Sequence, residues 1–221
     1  MDIFDVIGPI MIGPSSSHTA GAARIGRVAR RLLGAEVEWA SIGLYGSFAS
    51  TYQGHGTDRA IVAGLMDMGV DDIRIRESLS LAKQAGMHFE FYTIDTLRDA
   101  HPNTAVILAR GAGTQVEIQA ASVGGGAIRV GRLDGIRVSF TGENNTLVIT
   151  HTDAPGVIAQ VSSLLAGQGV NIATMQVFRT VPGGDAVMVI ESDELPTRSA
   201  LECLRGLRAV NSVTMLQRLD R

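Results

Sequence analysis

Residues 141–156 read Thr141-Gly142-Glu143-Asn144-Asn145-Thr146-Leu147-Val148-Ile149-Thr150-His151-Thr152-Asp153-Ala154-Pro155-Gly156, and the fold follows from how this stretch changes character. Turn-forming polar residues, Thr141 to Asn145, give way to a β-branched run, Thr146 to Thr150, and then to a polar loop ending in Pro155-Gly156. Val157, Ile158, Val161, Leu164 and Leu165 then recur at helical spacing. Pro155 suits the first turn of that helix and Gly169 ends it. Strands follow over residues 171–180 and 186–191, joined through the hairpin signal Pro182-Gly183-Gly184-Asp185. A second helix follows Thr197 with Leu201, Leu204 and Leu207 facing inward, and a last strand covers residues 212–219. The order is βαββαβ, a ferredoxin-like split unit. The polar stretch therefore divides the chain into residues 1–142 and 145–221, and the fold class is α+β.

The preceding text is mixed. Ile25, Val28, Ala29, Leu32 and Leu33 fall on one helical face, so a helix starts near Ser15-Ser16-Ser17 and ends at Gly34. Its other face carries Arg24, Arg27, Arg30 and Arg31, a solvated surface or a contact with a partner. Val37 and Trp39 start an alternating strand. Asp58 is placed to cap a helix holding Ile61, Val62, Leu65 and Met66, and Phe89, Phe91 and Thr93 alternate in another strand. From Thr104 to Phe140 four strands are split by Gly111-Ala112-Gly113, Gly124-Gly125-Gly126 and Asp134-Gly135. A largely antiparallel sheet with helices on one side follows. The triple glycine is either a bulge or a loop passing close to a ligand.

Composition narrows the function. At 221 residues with a net charge of −3 and no basic block, the chain is not suited to nucleic acid as main partner. No apolar run approaches the ~20 residues that span a bilayer. Met1-Asp2-Ile3-Phe4-Asp5 lacks the basic start of a signal peptide, so a cytoplasmic protein is expected. Cys203 is the only cysteine, which leaves no disulfide framework and no cysteine set for zinc or iron–sulfur. Lys83 is the only lysine, and no phosphate-binding string lies near it. Pyridoxal phosphate chemistry, which needs a Schiff-base lysine, is not expected.

Three polar strings carry the chemistry. Ser15-Ser16-Ser17-His18-Thr19, after a Gly13-Pro14 turn, offers hydroxyls and unpaired N–H groups at a helix start, where a carboxylate or phosphate binds. Ordinary capping would need only one serine. In Gly54-His55-Gly56-Thr57-Asp58 the flanking glycines leave the imidazole uncrowded, with a basicity suited to taking a proton near pH 7; a plain turn is the alternative. His101-Pro102-Asn103-Thr104 opens a strand or joins the site. His88, between Met87 and Phe89 in an alternating strand, is structural. The histidines lack metal-site spacing.

In this order the strings resemble the β chain of the bacterial iron–sulfur-dependent L-serine dehydratases (L-serine ammonia-lyases). The resemblance takes in Gly13 to Thr19, Gly46-Ser47-Phe48-Ala49, Gly54 to Ala60, His101 to Thr104, Ser122 to Gly126 and a C-terminal ACT-type regulatory domain from about Asn145. It implies a lyase of amino-acid degradation, feeding gluconeogenesis, that forms pyruvate and ammonia from L-serine without pyridoxal phosphate. It also implies a [4Fe–4S] cluster held by cysteines of a separate α subunit, with the site formed where α meets β and an unligated iron acting as Lewis acid toward the hydroxyl. His55 is then the base, with His18 the alternative. Ser15, Ser16, Ser17, His18 and Thr19 bind the carboxylate, Gly56 and Thr57 also bind substrate, and His101, Asn103 and Thr104 lie near the substrate. His151, Asp153, Pro155, Gly156 and Asn171 resemble the effector loop of serine-binding ACT domains, which often have Asn at the position of Asp153. An Asp there favours an ammonium and repels a carboxylate. The domain binds an effector, or it only dimerises by pairing sheets.

The first domain is also similar to the allosteric substrate-binding domain of some phosphoglycerate dehydrogenases. That likeness implies a non-catalytic, amino-acid-binding regulatory module.

Overall fold

The computed structural model describes Gly13 and residues 15–218. Pro14 of the expected turn, the Met1–Asp5 start and Leu219 of the expected last strand lie outside the described residues. The chain is α+β and divides into two compact units, residues 1–135 and 136–220.

The first unit opens with a π-helical turn, Ser16–Gly21, that runs directly into α1 (Ala22–Leu33). Gly34 ends α1 in the left-handed conformation as expected. Strand β1 (Trp39–Gly46) leads through α2 (Ser47–His55) and α3 (Thr57–Leu65) to a 3-10 turn (Ile73–Glu77), α4 (Ser78–Gln84) and β2 (His88–Ile94). Then come β3 (Asn103–Gly111), β4 (Thr114–Gly124) and β5 (Ala127–Leu133). The sheet order within this unit is β2-β1-β3-β4-β5. The β1 and β2 pair is parallel, its crossover filled by helices, while β1 with β3, β3 with β4 and β4 with β5 are antiparallel. Helix α1 lies on β3 and β4, where Ala105, Ile107, Ala109, Ile118 and Ala120 are buried.

Helices α1 and α3 cross closely because each places a glycine at the contact. A Cβ at Gly26 would overlap the Ile61 carbonyl, and one at Gly64 would overlap the carbonyl of Ala23. Three of the four arginines on the other face of α1 are tied within the unit. Arg27 and Arg31 both bond Asp67, and Arg24 donates to the Gly126 carbonyl at 2.7 Å.

Three sequence expectations change here. Helix α2 has no counterpart among the expected elements, since Ser47–His55 carries little apolar periodicity; it forms because Phe48 is fully buried and Gly56, at φ 71°, caps its end. Asp58 is not the cap of α3. Gly56 holds that position and Asp58, one residue inside, accepts the Arg59 N–H at 2.8 Å. The triple glycine is a hairpin turn: Gly124 pairs with Ala127 across Gly125-Gly126, and the register slips beside it between Ser122 and Gly124. Positive φ at Gly125 and Gly126, 59° and 81°, is the geometry of a two-residue turn that follows strand twist.

After β6 (Ile136–Phe140), the second unit runs β7 (Asn145–Thr152), α5 (Val157–Gly167), β8 (Ile172–Arg179), β9 (Asp185–Ser192), α6 (Arg198–Arg205) and β10 (Val210–Leu216). This is the expected βαββαβ order, in an antiparallel sheet arranged β10-β7-β9-β8. Gly156 is the cap of α5, so Pro155 precedes the helix instead of opening its first turn. Thr197 caps α6, its hydroxyl accepting from Ala200 N–H. Leu147, Ile149, Met188 and Ile190 pack on Val161, Leu165 and Leu204 of the helices. Val187 and Val189 point the other way and are buried too, and β6 packs on β8 and β9. Both faces of this sheet are therefore covered. Among the described residues no helix is long and apolar enough to cross a membrane.

Candidate active site

The first two polar strings meet directly. The His18 and His55 rings stand edge to face with centroids 4.9 Å apart. They come from the π-helical turn and from the last residue of α2, elements 37 positions apart in the chain. Gly21 lets the turn close: a Cβ there would overlap the Ser122 hydroxyl. Gly46, at φ 60°, does the same where β1 bends into α2, because a Cβ would run into Pro102. The third string is thereby drawn in, with Asn103 paired to Gly46 and the Pro102 carbonyl accepting from Phe48 N–H at 3.4 Å.

His18 is only 8% exposed and bonded at both ring nitrogens. Its Nε2 lies 3.2 Å from the Ser47 hydroxyl, and its Nδ1 lies 3.4 Å from Ser15 Oγ and 3.3 Å from Ser17 Oγ. Ser15 also accepts the His18 backbone N–H as the cap of the turn. The Phe48 ring meets His18 edge-on at 5.3 Å. Burial pushes His18 below its ordinary value of 6.5, and the neighbouring His55 adds to this against an opposing interaction with the Ser47 backbone. His18 is thus held neutral near pH 7.

His55 is exposed and faces a cleft of about 370 Å³ lined by Gly13, Thr19, Gln53, Gly54, Gly56, Arg59, Ile75 and Arg76. Its imidazole is not uncrowded, as the flanking glycines suggested, since His18 stands against it. Thr19 and Gly56 line the cleft; Ser15, Ser16 and Ser17 do not. Thr57 is fully buried at the start of α3. His101 is exposed and its Nδ1 accepts the Asn103 N–H at 3.1 Å, while buried Thr104 donates its hydroxyl to the His101 carbonyl at 2.7 Å. The Asn103 side-chain oxygen is buried with no hydrogen-bond partner among the described residues. His88 stands exposed on β2, away from these strings.

Sequence reasoning passed over Ser47, Phe48, Arg59 and Arg76. Ser47 and Phe48 belong to the quoted Gly46-Ser47-Phe48-Ala49 motif, so a signal existed; nothing local marks Arg76. Among the described residues no group of three or more His, Cys, Asp or Glu side chains could hold a metal ion.

In the second unit His151 is buried, with Nδ1 2.9 Å from the Thr152 carbonyl and Nε2 without a partner among the described residues. The carbonyl requires a donor, which puts the proton on Nδ1. Asp153 accepts from Arg179 at 2.7 Å and from Gly183 N–H at 3.0 Å. Those two contacts, the Gly183 bond foremost, hold its carboxyl below the usual range. Its charge is therefore paired within the loop, which weakens the expectation that it repels a carboxylate. Gly156 is exposed beside the loop, and Asn171 is exposed with its backbone N–H on Glu194 at 3.0 Å.

The family model described as "Serine dehydratase beta chain" matches residues 1–132, and the one described as "ACT domain" matches residues 145–209. A protein of Bacillus subtilis named "Probable L-serine dehydratase, beta chain" is 43% identical over 214 residues, 97% of either chain. The "L-serine dehydratase, beta chain" of Peptoniphilus asaccharolyticus is 38% identical over 205 residues, 92% of either chain. A D-3-phosphoglycerate dehydrogenase of Synechocystis sp. is 26% identical over 174 residues, 78% of this chain but 31% of that enzyme. With a family model matching more than half of its length and relatives aligned nearly end to end, the chain belongs to the serine dehydratase beta chain family and carries a C-terminal ACT domain.

Proposed function

We propose that this chain is the β subunit of an L-serine ammonia-lyase and supplies the base that removes the Cα proton of L-serine. The observation that carries this reading is the His18 and His55 pair, 4.9 Å apart, of which only His55 lines the cleft. A base must reach the proton it takes. His55 is exposed and able to do so, whereas His18 is buried and occupied at both nitrogens. Ser15, Ser17 and Ser47 act through His18, fixing its ring perpendicular to that of His55. Thr57, Asn103 and Thr104 position the backbone around the site, and His101 braces the loop before β3.

Abstraction of the Cα proton with loss of the β-hydroxyl as water leaves an aminoacrylate. Its imine tautomer takes up water and releases pyruvate and ammonia. Cys203, exposed on α6, is the chain's only cysteine, a donor set that does not fit a cysteine-held [4Fe–4S] cluster. The proposal therefore assigns the cluster to a separate α subunit and assigns to this chain the base and one wall of the substrate cleft. The ACT domain pairs with a second copy through the free edge of β8 and takes an amino-acid effector near His151, Asp153, Gly156 and Asn171.

Anaerobic reconstitution with the α subunit tests the reading. Pyruvate from L-serine in the mixture, and none from either subunit alone, is the expected result. Turnover by this chain alone, or none by a cluster-loaded assembly, refutes it.

A further inference from the structure

We infer that Arg59 and Arg76 form the clamp that receives the substrate carboxylate in the His55 cleft. The two arginines come from separate elements, the first turn of α3 and the 3-10 turn before α4, yet both residues line the cleft with His55. Their convergence is built in. The hydroxyl of Ser78, fully buried at the start of α4, donates to the Arg59 carbonyl at 2.7 Å and ties together the two segments that carry the arginines.

The charge distribution points the same way. Five other arginines face carboxylates: Arg27 and Arg31 bond Asp67, Arg74 bonds Asp72, Arg179 bonds Asp153 and Arg198 bonds Glu202. Arg59 and Arg76 take part in no ion pair among the described residues, and no carboxylate lines their cleft. Asp58, adjacent in sequence, accepts the Arg59 backbone N–H and interacts electrostatically with its guanidinium without forming an ion pair. Two cations with no ion-pair partner among the described residues favour an anion in their cleft, and guanidinium is the group whose fork matches a carboxylate. A cleft of about 370 Å³ is at the small end of ligand sites and suits a small amino acid.

The identity of the anion rests on the dehydratase reading; the presence of an anion clamp does not. The assignment moves the carboxylate from the serine hydroxyls, two of which are engaged with His18, to the arginines. With the carboxylate so held, the Cα proton is presented beside the His55 ring.

Steady-state kinetics of the assembled enzyme test the clamp with Arg59→Gln, Arg76→Gln, Arg59→Lys and Ser17→Ala. Losing one charge-assisted contact should raise KM for L-serine roughly 10- to 100-fold with kcat changed less than about threefold, Arg59→Lys falling between. A KM unchanged in both arginine variants, with Ser17→Ala raising it, returns the carboxylate to the hydroxyl string and overturns the assignment. A second measurement needs no turnover: acetate titrated into the full-length β chain should shift the His55 ring resonances in the wild type and not in the Arg59→Gln/Arg76→Gln double variant. Equal shifts in both, or none in the wild type, refute the clamp. If the wild-type assembly makes no pyruvate, the dehydratase reading fails and the acetate titration alone decides whether the arginines bind anions.

Discussion

Replacing His55 by Gln in the assembled enzyme removes the proposed base while disturbing little else. His55 is the exposed last residue of α2, and the cap that ends the helix is made by Gly56, not by the imidazole. Surface changes of this kind move stability by about 0.5 kcal/mol or less. The chemical loss is much larger. A positioned general base contributes about 10²- to 10⁴-fold, or roughly 3–5 kcal/mol of barrier. His18, only 4.9 Å away, cannot take over: its nitrogens meet Ser47 at 3.2 Å and Ser17 at 3.3 Å, and burial lowers its affinity for a proton. The expected outcome is a fall of at least ~100-fold in kcat with an unchanged melting curve and intact association with the α subunit. Anaerobic pyruvate formation, thermal unfolding and co-elution provide the three readouts. A loss of less than about tenfold in an intact complex would show that the proton goes elsewhere, and a collapse of the melting curve would mean that His55 is structural.

Ser47→Ala removes the Nε2 partner of His18 and should lower kcat more than it raises KM; no effect on either would separate His18 from the chemistry. His18 also predicts a pH dependence of stability. Its folded value lies below the ordinary 6.5, so below that pH the unfolded chain binds more protons and stability falls as pH drops. Urea midpoints measured on either side of pH 6.5 should diverge in the wild type and less so in His18→Gln. Gly64→Ala forces a Cβ into the Ala23 carbonyl and should destabilise by about 1–3 kcal/mol. Gly34→Ala, with open space but φ 73°, should cost about 1 kcal/mol; the reverse ranking in denaturant unfolding would refute the close crossing of α1 and α3. Val177, exposed on edge strand β8, is where Val177→Arg should weaken self-association by about tenfold or more in sedimentation. An unchanged dimer would place the contact elsewhere.

The second unit is legible in the sequence because its signals are local: the run from Thr146 to Thr150, the helical spacing after Val157, the Gly183-Gly184 hairpin and the Thr197 cap each act within a few residues. The strands between Thr104 and Phe140 are legible for the same reason, every turn being marked by glycine. The polar strings at residues 15–19, 54–58 and 101–104 stand out by residue type, and so does the scarcity of cysteine and lysine that removes whole classes of chemistry. What each residue does there is decided by the tertiary structure. Helix α2 has no amphipathic pattern to read, yet the burial of Phe48 makes it helical and puts His55 at its tip. Asp58 has the side chain of a cap, but the left-handed Gly56 takes the position first. The difference between His18 and His55 rests on burial and on a serine 29 residues away, and Arg59 and Arg76 line one cleft although 17 positions apart, with Ser78 bonded to the Arg59 carbonyl between their segments. Local propensity and side-chain chemistry are properties of neighbouring residues, so a sequence displays them. Burial, exposure and the pairing of distant charges arise only when the folded backbone brings its far parts into contact.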